Sequence, residues 1–284
     1  MNMMNFRLKA NQRMWDKNAE VHTTHHGGYA VQIRQLLSGK RTWSMPLPDT
    51  IGPVRGKRLL HLQCHFGLDS LQWAARGAKV AGVDFSPRAI AEARKLSRRT
   101  GIPATFVESE ISSLPRKLKG RFDIVLTYYG TICWLPDLRR WGAVIAHFLK
   151  PGGFFYIADG HPMANSLEFD GPQGAARLAR AYLPGKPERW VGSGTYDSPK
   201  AKTGVRVSYE WSHSLAEILG SLRGAGLAVE YLHEFPYSFY DVGFYTKYKL
   251  FREDRRGFWH LKEWGDKLPL MFSVKAVKPV ARRK

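Results

Sequence analysis

The sequence predicts an α/β fold: a mostly parallel sheet with helices on both faces. Three observations carry this. Short apolar runs alternate with helix-like segments from Arg58 to Asp159, and that rhythm demands parallel strands joined by crossover helices. The run Leu59-Leu60-His61-Leu62 breaks into the turn Gln63-Cys64-His65-Phe66-Gly67, and 17 residues after Gly67 a second apolar run ends on Asp84. This is the layout of a nucleotide-type βαβ unit, whose turn meets one end of a ligand and whose acid meets ribose hydroxyls. Finally, Lys150-Pro151-Gly152-Gly153 turns the chain into another apolar run, Phe154–Ala158.

Each element follows from its residues. Asn11 to Glu20 and Tyr29 to Leu37 read as two N-terminal helices, after which Pro46, Pro48 and Pro53 keep the chain extended. Arg58–Leu62 is the first strand, Leu68–Arg76 a helix closed by Gly77, and Lys79–Val83 the second strand. Ser86 is an N-cap with Pro87 at the first helical position, and that helix runs to about Thr100 and Gly101. Strands follow at Ala104–Val107, Asp123–Thr127 and Phe154–Ala158, with a helix at Leu138–Phe148. Residues 160–208 break the rhythm with Gly171-Pro172 and Pro184-Gly185 turns, and an insertion of that length reads as a lid or substrate-binding segment. Regular structure resumes at Arg206–Trp211, with a helix from Ser214 to Ala225 and strands at Ala228–Glu234 and Leu270–Val277. The expected organisation is an N-terminal helical cover over 1–53 and a main domain over 54–284, with 160–208 as a roof.

Composition bounds the function. With 284 residues, 44% hydrophobic and 13% aromatic, the chain can bury a sizeable core. No apolar run approaches the roughly 20 residues of a membrane span, and the N-terminus lacks a secretory core. Two cysteines, Cys64 and Cys133, make neither a disulfide framework nor a zinc site, and His22, His25 and His26 lack partners at ligand spacing. The expectation is a cytoplasmic protein, monomer or homodimer, without metal or membrane. The net charge of +20 invites nucleic acid. The excess is spread out, however, with 12 Lys/Arg against 5 Asp/Glu between Asp241 and Lys284 and the rest scattered. A small-molecule partner is favoured, with RNA kept as an alternative.

Four pieces in order carry a family resemblance: Leu60-His61-Leu62-Gln63-Cys64-His65-Phe66-Gly67; Val83-Asp84-Phe85-Ser86; Glu110 with Leu114-Pro115; and Phe122-Asp123-Ile124-Val125, leading to Leu135-Pro136-Asp137 and Leu149-Lys150-Pro151-Gly152-Gly153. On these the chain resembles the class I S-adenosylmethionine-dependent methyltransferases, in particular a UbiE-like small-molecule branch whose first motif reads H-L-Q-C-H-F-G. The likeness covers residues 55–160 closely and 205–278 by element order. It implies a Rossmann-like, seven-stranded sheet, S-adenosylmethionine as methyl donor and S-adenosylhomocysteine as product.

The resemblance also implies roles. Asp84 would accept from both ribose hydroxyls, and Phe85 would lie against adenine. Glu110 stands where the family usually has an Asp for the adenine amino group, with the Ile111 N–H reading a ring nitrogen. Gln63 and His65 stand where glycines are usual, so their side chains would meet the methionine tail; only Gly67 remains. Cys64 packs beside them. Thr127, Tyr128 and Tyr129 end the fourth strand, and Tyr128 would border the sulfonium and methyl group. Trp15 and His22 would close over the cofactor. Methyl transfer is an in-line displacement that positioning can largely drive. Where the acceptor must lose a proton, His161 and Asp159 are the candidate bases, with Glu210 and His213 behind them. Aromatics such as Trp15, Tyr29, Trp43, Tyr182, Trp190, Tyr196, Trp211, Phe235, Tyr237, Phe239 and Tyr240 suggest an apolar or planar substrate. The alternatives are an RNA methyltransferase using the basic surface and a non-catalytic S-adenosylmethionine-binding protein.

Overall fold

The computed structural model describes residues 3–24, 29–40, 51–170, 175–239 and 250–280. Trp43, Tyr240, His25 and His26 lie outside the described residues, as does the Gly171-Pro172 turn. Two helices, α1 (Met3–His22) and α2 (Ala30–Leu37), precede the sheet. Then come β1 (Arg58–Leu62), α3 (Leu68–Ala75), β2 (Lys79–Asp84), α4 (Pro87–Thr100), β3 (Thr105–Glu108) and α5 (Leu114–Lys117). β4 (Phe122–Tyr128), α6 (Leu138–Phe148) and β5 (Leu149–Gly160) complete the alternating part. The insertion holds α7 (Pro162–Ser166), β6 (Leu167–Asp170), β7 (Ala175–Leu178), β8 (Glu188–Gly192) and β9 (Arg206–Glu210). α8 (Leu215–Gly224), β10 (Ala228–Phe235), β11 (Tyr237–Ser238), β12 (Phe251–Glu253), β13 (Trp259–Leu261) and β14 (Met271–Val277) end the chain.

The central sheet has seven strands in the order β10-β14-β5-β4-β1-β2-β3. β3, β2, β1, β4 and β5 are parallel, while β14 is antiparallel to both β5 and β10. This is the expected mostly parallel, Rossmann-like sheet. Period-two alternation splits the core between its two faces. Leu60, Leu62 and Val125 pack with Trp141, Ile145 and Phe148 of α6 and Leu222 of α8. Leu59, Ile124 and Leu126 face the other way, with Trp73, Tyr128 and Tyr156. The helix signals act as read: the Ser86 hydroxyl accepts from Ala89 N, Pro87 opens α4, and Gly101 closes it at φ 68°. Asp137 caps α6 by accepting from the N–H groups of Arg139 and Arg140.

Two features depart from the sequence reading. The insertion is not one irregular loop; it forms two antiparallel ribbons, β6–β7 and β8–β9. A small sheet, β11-β13-β12, also stands between β10 and β14. The N-terminal helix and the insertion are fastened together. The Asn11 amide donates to Tyr209 O and accepts from Tyr209 N, both at 2.7 Å, replacing a missing strand neighbour for β9. The Arg206 guanidinium donates to Asn18 Oδ1 at 2.7 Å and to Met14 O at 3.2 Å. Among the described residues no helix is long and apolar enough to cross a membrane.

Gly67 shows how tightly the β1 turn packs. Its φ is +76°, and a Cβ there would lie 2.6 Å from the Phe106 ring and 2.8 Å from Ala93 Cβ. Gly67→Ala should therefore destabilise the protein by about 2–4 kcal/mol, through overpacking and a left-handed backbone. Urea unfolding should show this as a lower midpoint with an unchanged m-value.

Candidate active site

Five parallel strands align their carboxyl ends along one edge of the sheet, and a cavity of about 960 Å³ opens there. Its floor comes from the β1 turn, the end of β2, and the loop after β4; α1 and the insertion supply the walls and roof. Ligands bind at such edges because the strands terminate there and their loops diverge.

The floor is strained. Among the described residues only Gln63, His65 and Tyr129 are non-glycine residues with positive φ, at 54°, 50° and 71°, and all three line the cavity. Such backbone costs of order 1 kcal/mol or more per residue, and persists where surroundings over-determine it. Two buried carboxylates do so here. Asp84 Oδ2 accepts from His65 N at 2.8 Å and Oδ1 from Ser86 N at 2.9 Å, tying the β1 turn to the start of α4. Asp159 Oδ1 accepts from Gly130 N and Gly160 N, each at 2.7 Å, and Oδ2 from Thr131 N at 2.9 Å and the Thr131 hydroxyl at 3.0 Å. Gln63 joins the two floors, its amide donating to Thr131 O at 2.8 Å. The turn thus keeps a glycine-like backbone path at 63 and 65 without glycines there.

Above the turn lies an aromatic lid. Trp15 meets the His65 ring at 5.1 Å, Trp134 at 5.4 Å and Tyr196 at 6.2 Å, and the Tyr29 and Tyr196 hydroxyls are 3.0 Å apart. His22 Nδ1 is hydrogen-bonded to His65 Nε2 at 2.8 Å. Burial holds His22 down to about 3 and His65 well below the usual imidazole range, so both rings are neutral. One proton lies between them, so their tautomers are linked: a proton on His22 Nδ1 leaves His65 a donor at Nδ1, and the reverse arrangement makes it an acceptor. The outer nitrogens, His22 Nε2 and His65 Nδ1, are buried without partners among the described residues, and so is Gln63 Oε1.

The structure brings together most residues singled out in the sequence. Trp15, Gln63, Cys64, His65, Gly67, Asp84, Phe85 and Tyr128 line the cavity, and His22 stands directly behind His65. Cys64 is buried, and burial first, then Asp84, pushes its thiol pKa up. The Tyr128 hydroxyl is engaged by Trp73 Nε1 at 3.0 Å and its ring stacks on His61, so the ring is what it offers the cavity.

Other expectations need correcting. His161 does not line the cavity: Nδ1 accepts from Met163 N to cap α7, and Nε2 lies 2.9 Å from Glu234 Oε1. One ring nitrogen is thus engaged at α7 and the other faces β10, so the candidate base is not among the groups on the cavity wall. Thr127 is fully buried below the floor, its hydroxyl donating to Thr131 Oγ1. Glu110 is exposed at the start of a 3-10 turn and Ile111 is in the core, both off the cavity wall. Asp159 is an anchor for the loop after β4, its lone pairs taken by backbone donors. His213 lines the wall but is occupied by Glu217 Oε2 and Leu135 O, both at 2.8 Å. Of the aromatics, Trp15, Tyr29, Tyr182, Trp190, Tyr196 and Trp211 line the cavity, whereas Phe235, Tyr237 and Phe239 pack in the core behind it. Trp134, which the sequence places just after the fourth strand as packing around the methionine or substrate, lines the cavity, and its Nε1 donates to Gly130 O at 2.8 Å, closing the loop after β4.

Two measurements check this geometry. Asp159→Ala strands several buried N–H groups and should cost about 2–4 kcal/mol in urea unfolding. Burial raises the Asp84 pKa from 3.8 to about 6, with backbone N–H bonds opposing it. The folded state then binds its proton more tightly than the unfolded chain, so this group's effect on stability is to lower it as pH rises through that window. Between about pH 4 and pH 6.5 the wild-type protein should lose up to about 3 kcal/mol relative to Asp84→Asn.

Comparison with known proteins follows the same lines. The family model described as "Methyltransferase domain" matches residues 59–153, which run from β1 to the turn within β5. The chain is similar to the ubiquinone biosynthesis O-methyltransferase of Photorhabdus laumondii, 32% identical over 146 residues, covering 51% of this chain and 55% of that protein. That of Paraburkholderia phymatum is 27% identical over 215 residues, covering 76% and 78%. The chain thus spans little more than half the length of the first of these relatives. Among solved structures, an S-adenosylmethionine-dependent methyltransferase from Mesorhizobium loti superposes with a TM-score of 0.54 at 21% identity, over 89% of this chain and 98% of that one. Another from Clostridium acetobutylicum gives 0.52 at 13%, over 78% and 84%. The chain has the class I methyltransferase fold, and residues 59–153 within it match a methyltransferase domain.

Proposed function

We propose that this protein is an S-adenosylmethionine-dependent methyltransferase acting on a small organic acceptor held in the roofed cavity. The observation that carries the reading is the β1 turn: Gln63 and His65 are held in left-handed backbone beside the Asp84 carboxylate, with unpartnered polar atoms at that spot.

The donor set fits this cofactor. Each Asp84 oxygen accepts one backbone N–H, leaving a lone pair free for a ribose hydroxyl. Above about pH 6 the group is a carboxylate. At the other end, Gln63 Oε1 is an acceptor suited to an ammonium, and His65 Nδ1 can donate to a carboxylate when His22 holds the shared proton. Arg180 is the one guanidinium or ammonium among the described residues lining the cavity, and it belongs to the insertion. A dinucleotide pyrophosphate would meet no cation near the β1 turn; a zwitterionic methionine tail needs none. Glu110 and Ile111 are not required for this fit, and Phe85 is the aromatic beside the ribose acid.

The bound cofactor supplies a methyl group activated by its sulfonium for in-line displacement. The chain's own part is positioning and exclusion of water. The Tyr128 ring lies at the end of β4, one face stacked on His61, and what it presents to the cavity would border the sulfonium. Trp15, Trp134 and Tyr196 shield the reacting groups from bulk solvent, and the insertion at 160–208 roofs the acceptor. The cover at 1–53 and the insertion work as one unit, because Asn11 and Arg206 fasten α1 to β9. A roofed cavity suits a small acceptor better than a polynucleotide, whose backbone needs an open basic track.

Isothermal titration with S-adenosylhomocysteine checks this reading. Saturable binding at one site is expected, weakened at least about tenfold in Asp84→Ala and in His65→Ala by loss of charge-assisted contacts. Absence of binding to the folded wild-type protein refutes it.

A further inference from the structure

The cavity's charge runs against that of the whole chain. Lys and Arg outnumber Asp and Glu 44 to 24 in the sequence. Yet seven carboxylates and one guanidinium, Arg180, are found among the described residues lining the cavity. Several of these acids are already occupied. Asp84 and Asp159 hold backbone N–H groups, Glu168 is paired with Arg177, and Asp197 accepts from the Ser198 hydroxyl.

Glu188 and Glu210 are different. They lie directly opposite each other in the register of β8 and β9, both half-buried and both on the cavity wall. Among the described residues neither side chain accepts a hydrogen bond or joins an ion pair within 4 Å. Like charges facing each other across a strand pair are destabilising unless a cation lies between them. Burial raises the Glu210 pKa, Arg180 lowers it, and Glu188 raises it further. The surrounding wall is aromatic, with Trp190 and Trp211 among its residues. It already receives a cation: the Arg180 guanidinium sits 4.7 Å from the Trp190 ring centroid and donates to Asn165 O at 3.1 Å. Two facing carboxylates whose side chains make no hydrogen bond or ion pair within 4 Å, on a wall that includes two indoles, form the chemistry that selects an organic ammonium.

We propose that the Glu188–Glu210 end of the cavity binds a cationic amine, and that an amine nitrogen of this molecule is the methyl acceptor. This rests on the methyltransferase reading above. An ammonium nitrogen has no lone pair, so a proton must leave first. The Glu210 carboxylate takes it, and the freed lone pair forms the new N–C bond. The C–S bond of the methyl donor breaks as this happens, its electron pair staying on sulfur. The product is a methylated ammonium, and Glu210 then releases its proton to solvent. Glu188 holds the charge in place and is a positioning residue.

The test uses three probes of one shape on the full chain saturated with S-adenosylhomocysteine: phenethylamine, 2-phenylethanol and 3-phenylpropionate. Isothermal titration should show the amine binding at least about tenfold more tightly than the alcohol, with the acid weakest. In the E188Q/E210Q protein the amine should fall to within about twofold of the alcohol while S-adenosylhomocysteine affinity is retained. Glu188→Gln alone, on the more exposed strand β8, should give part of the same loss should the double variant not fold. Equal binding of the three probes, no binding of any, or preference for the acid overturns the proposal. Failure of S-adenosylhomocysteine itself to bind overturns the methyltransferase reading instead, so the two failures are distinguishable.

Discussion

The interaction on which the rest depends is the buried carboxylate of Asp84 holding the β1 turn by its backbone. One oxygen takes the N–H of His65 and the other that of Ser86, so a single side chain sets both the turn after β1 and the entry to α4. Desolvation makes the group costly as an anion, which is why its pKa climbs. The same desolvation makes each hydrogen bond to it stronger than in water. The left-handed residues Gln63 and His65 persist because this anchor outweighs their backbone strain.

A second anchor of the same kind, Asp159, organises the loop after β4, and Gln63 bridges the two. The floor is therefore a rigid network of buried polar groups, fully tied on its lower side and unsatisfied on its upper side. Unpartnered buried atoms are uncommon in folded proteins. Three of the nine among the described residues, on Gln63, His65 and His22, cluster at the β1 turn, where the proposed ligand would complete them. The linked tautomers of the two histidines let the turn offer either a donor or an acceptor without acquiring charge.

The cavity wall carries two kinds of chemistry. The β1–β2 turn offers a buried carboxylate, an amide acceptor and neutral imidazoles. The β8–β9 wall offers two facing carboxylates with no side-chain hydrogen bond or ion pair within 4 Å, and indole rings. The basic excess of the chain lies largely elsewhere, over helices and outer loops, where solvent screens it. Net charge thus says little about what such a cleft accepts, because burial amplifies the few charges inside it.

How much was legible beforehand follows the range of each interaction. Alternating apolar runs, the Ser86-Pro87 helix start, the Gly101 stop and Asp84 at a strand end are local patterns, and they determined the sheet, its helices and the cofactor edge. The pairing of Asn11 with Tyr209 spans 198 residues, and that of Gln63 with Thr131 spans 68. No local pattern encodes such contacts, so only the tertiary structure decided that α1 and the insertion close together over the floor. His161 shows the same limit from the other side. Its place just past β5 predicted a base facing the substrate, yet as the N-cap of α7 its ring meets Met163 N and Glu234. Glu188 and Glu210, 22 residues apart in the sequence, become one feature only when β8 and β9 set them opposite each other. Sequence fixes which groups a segment can offer; packing alone fixes the side of the sheet to which they are offered.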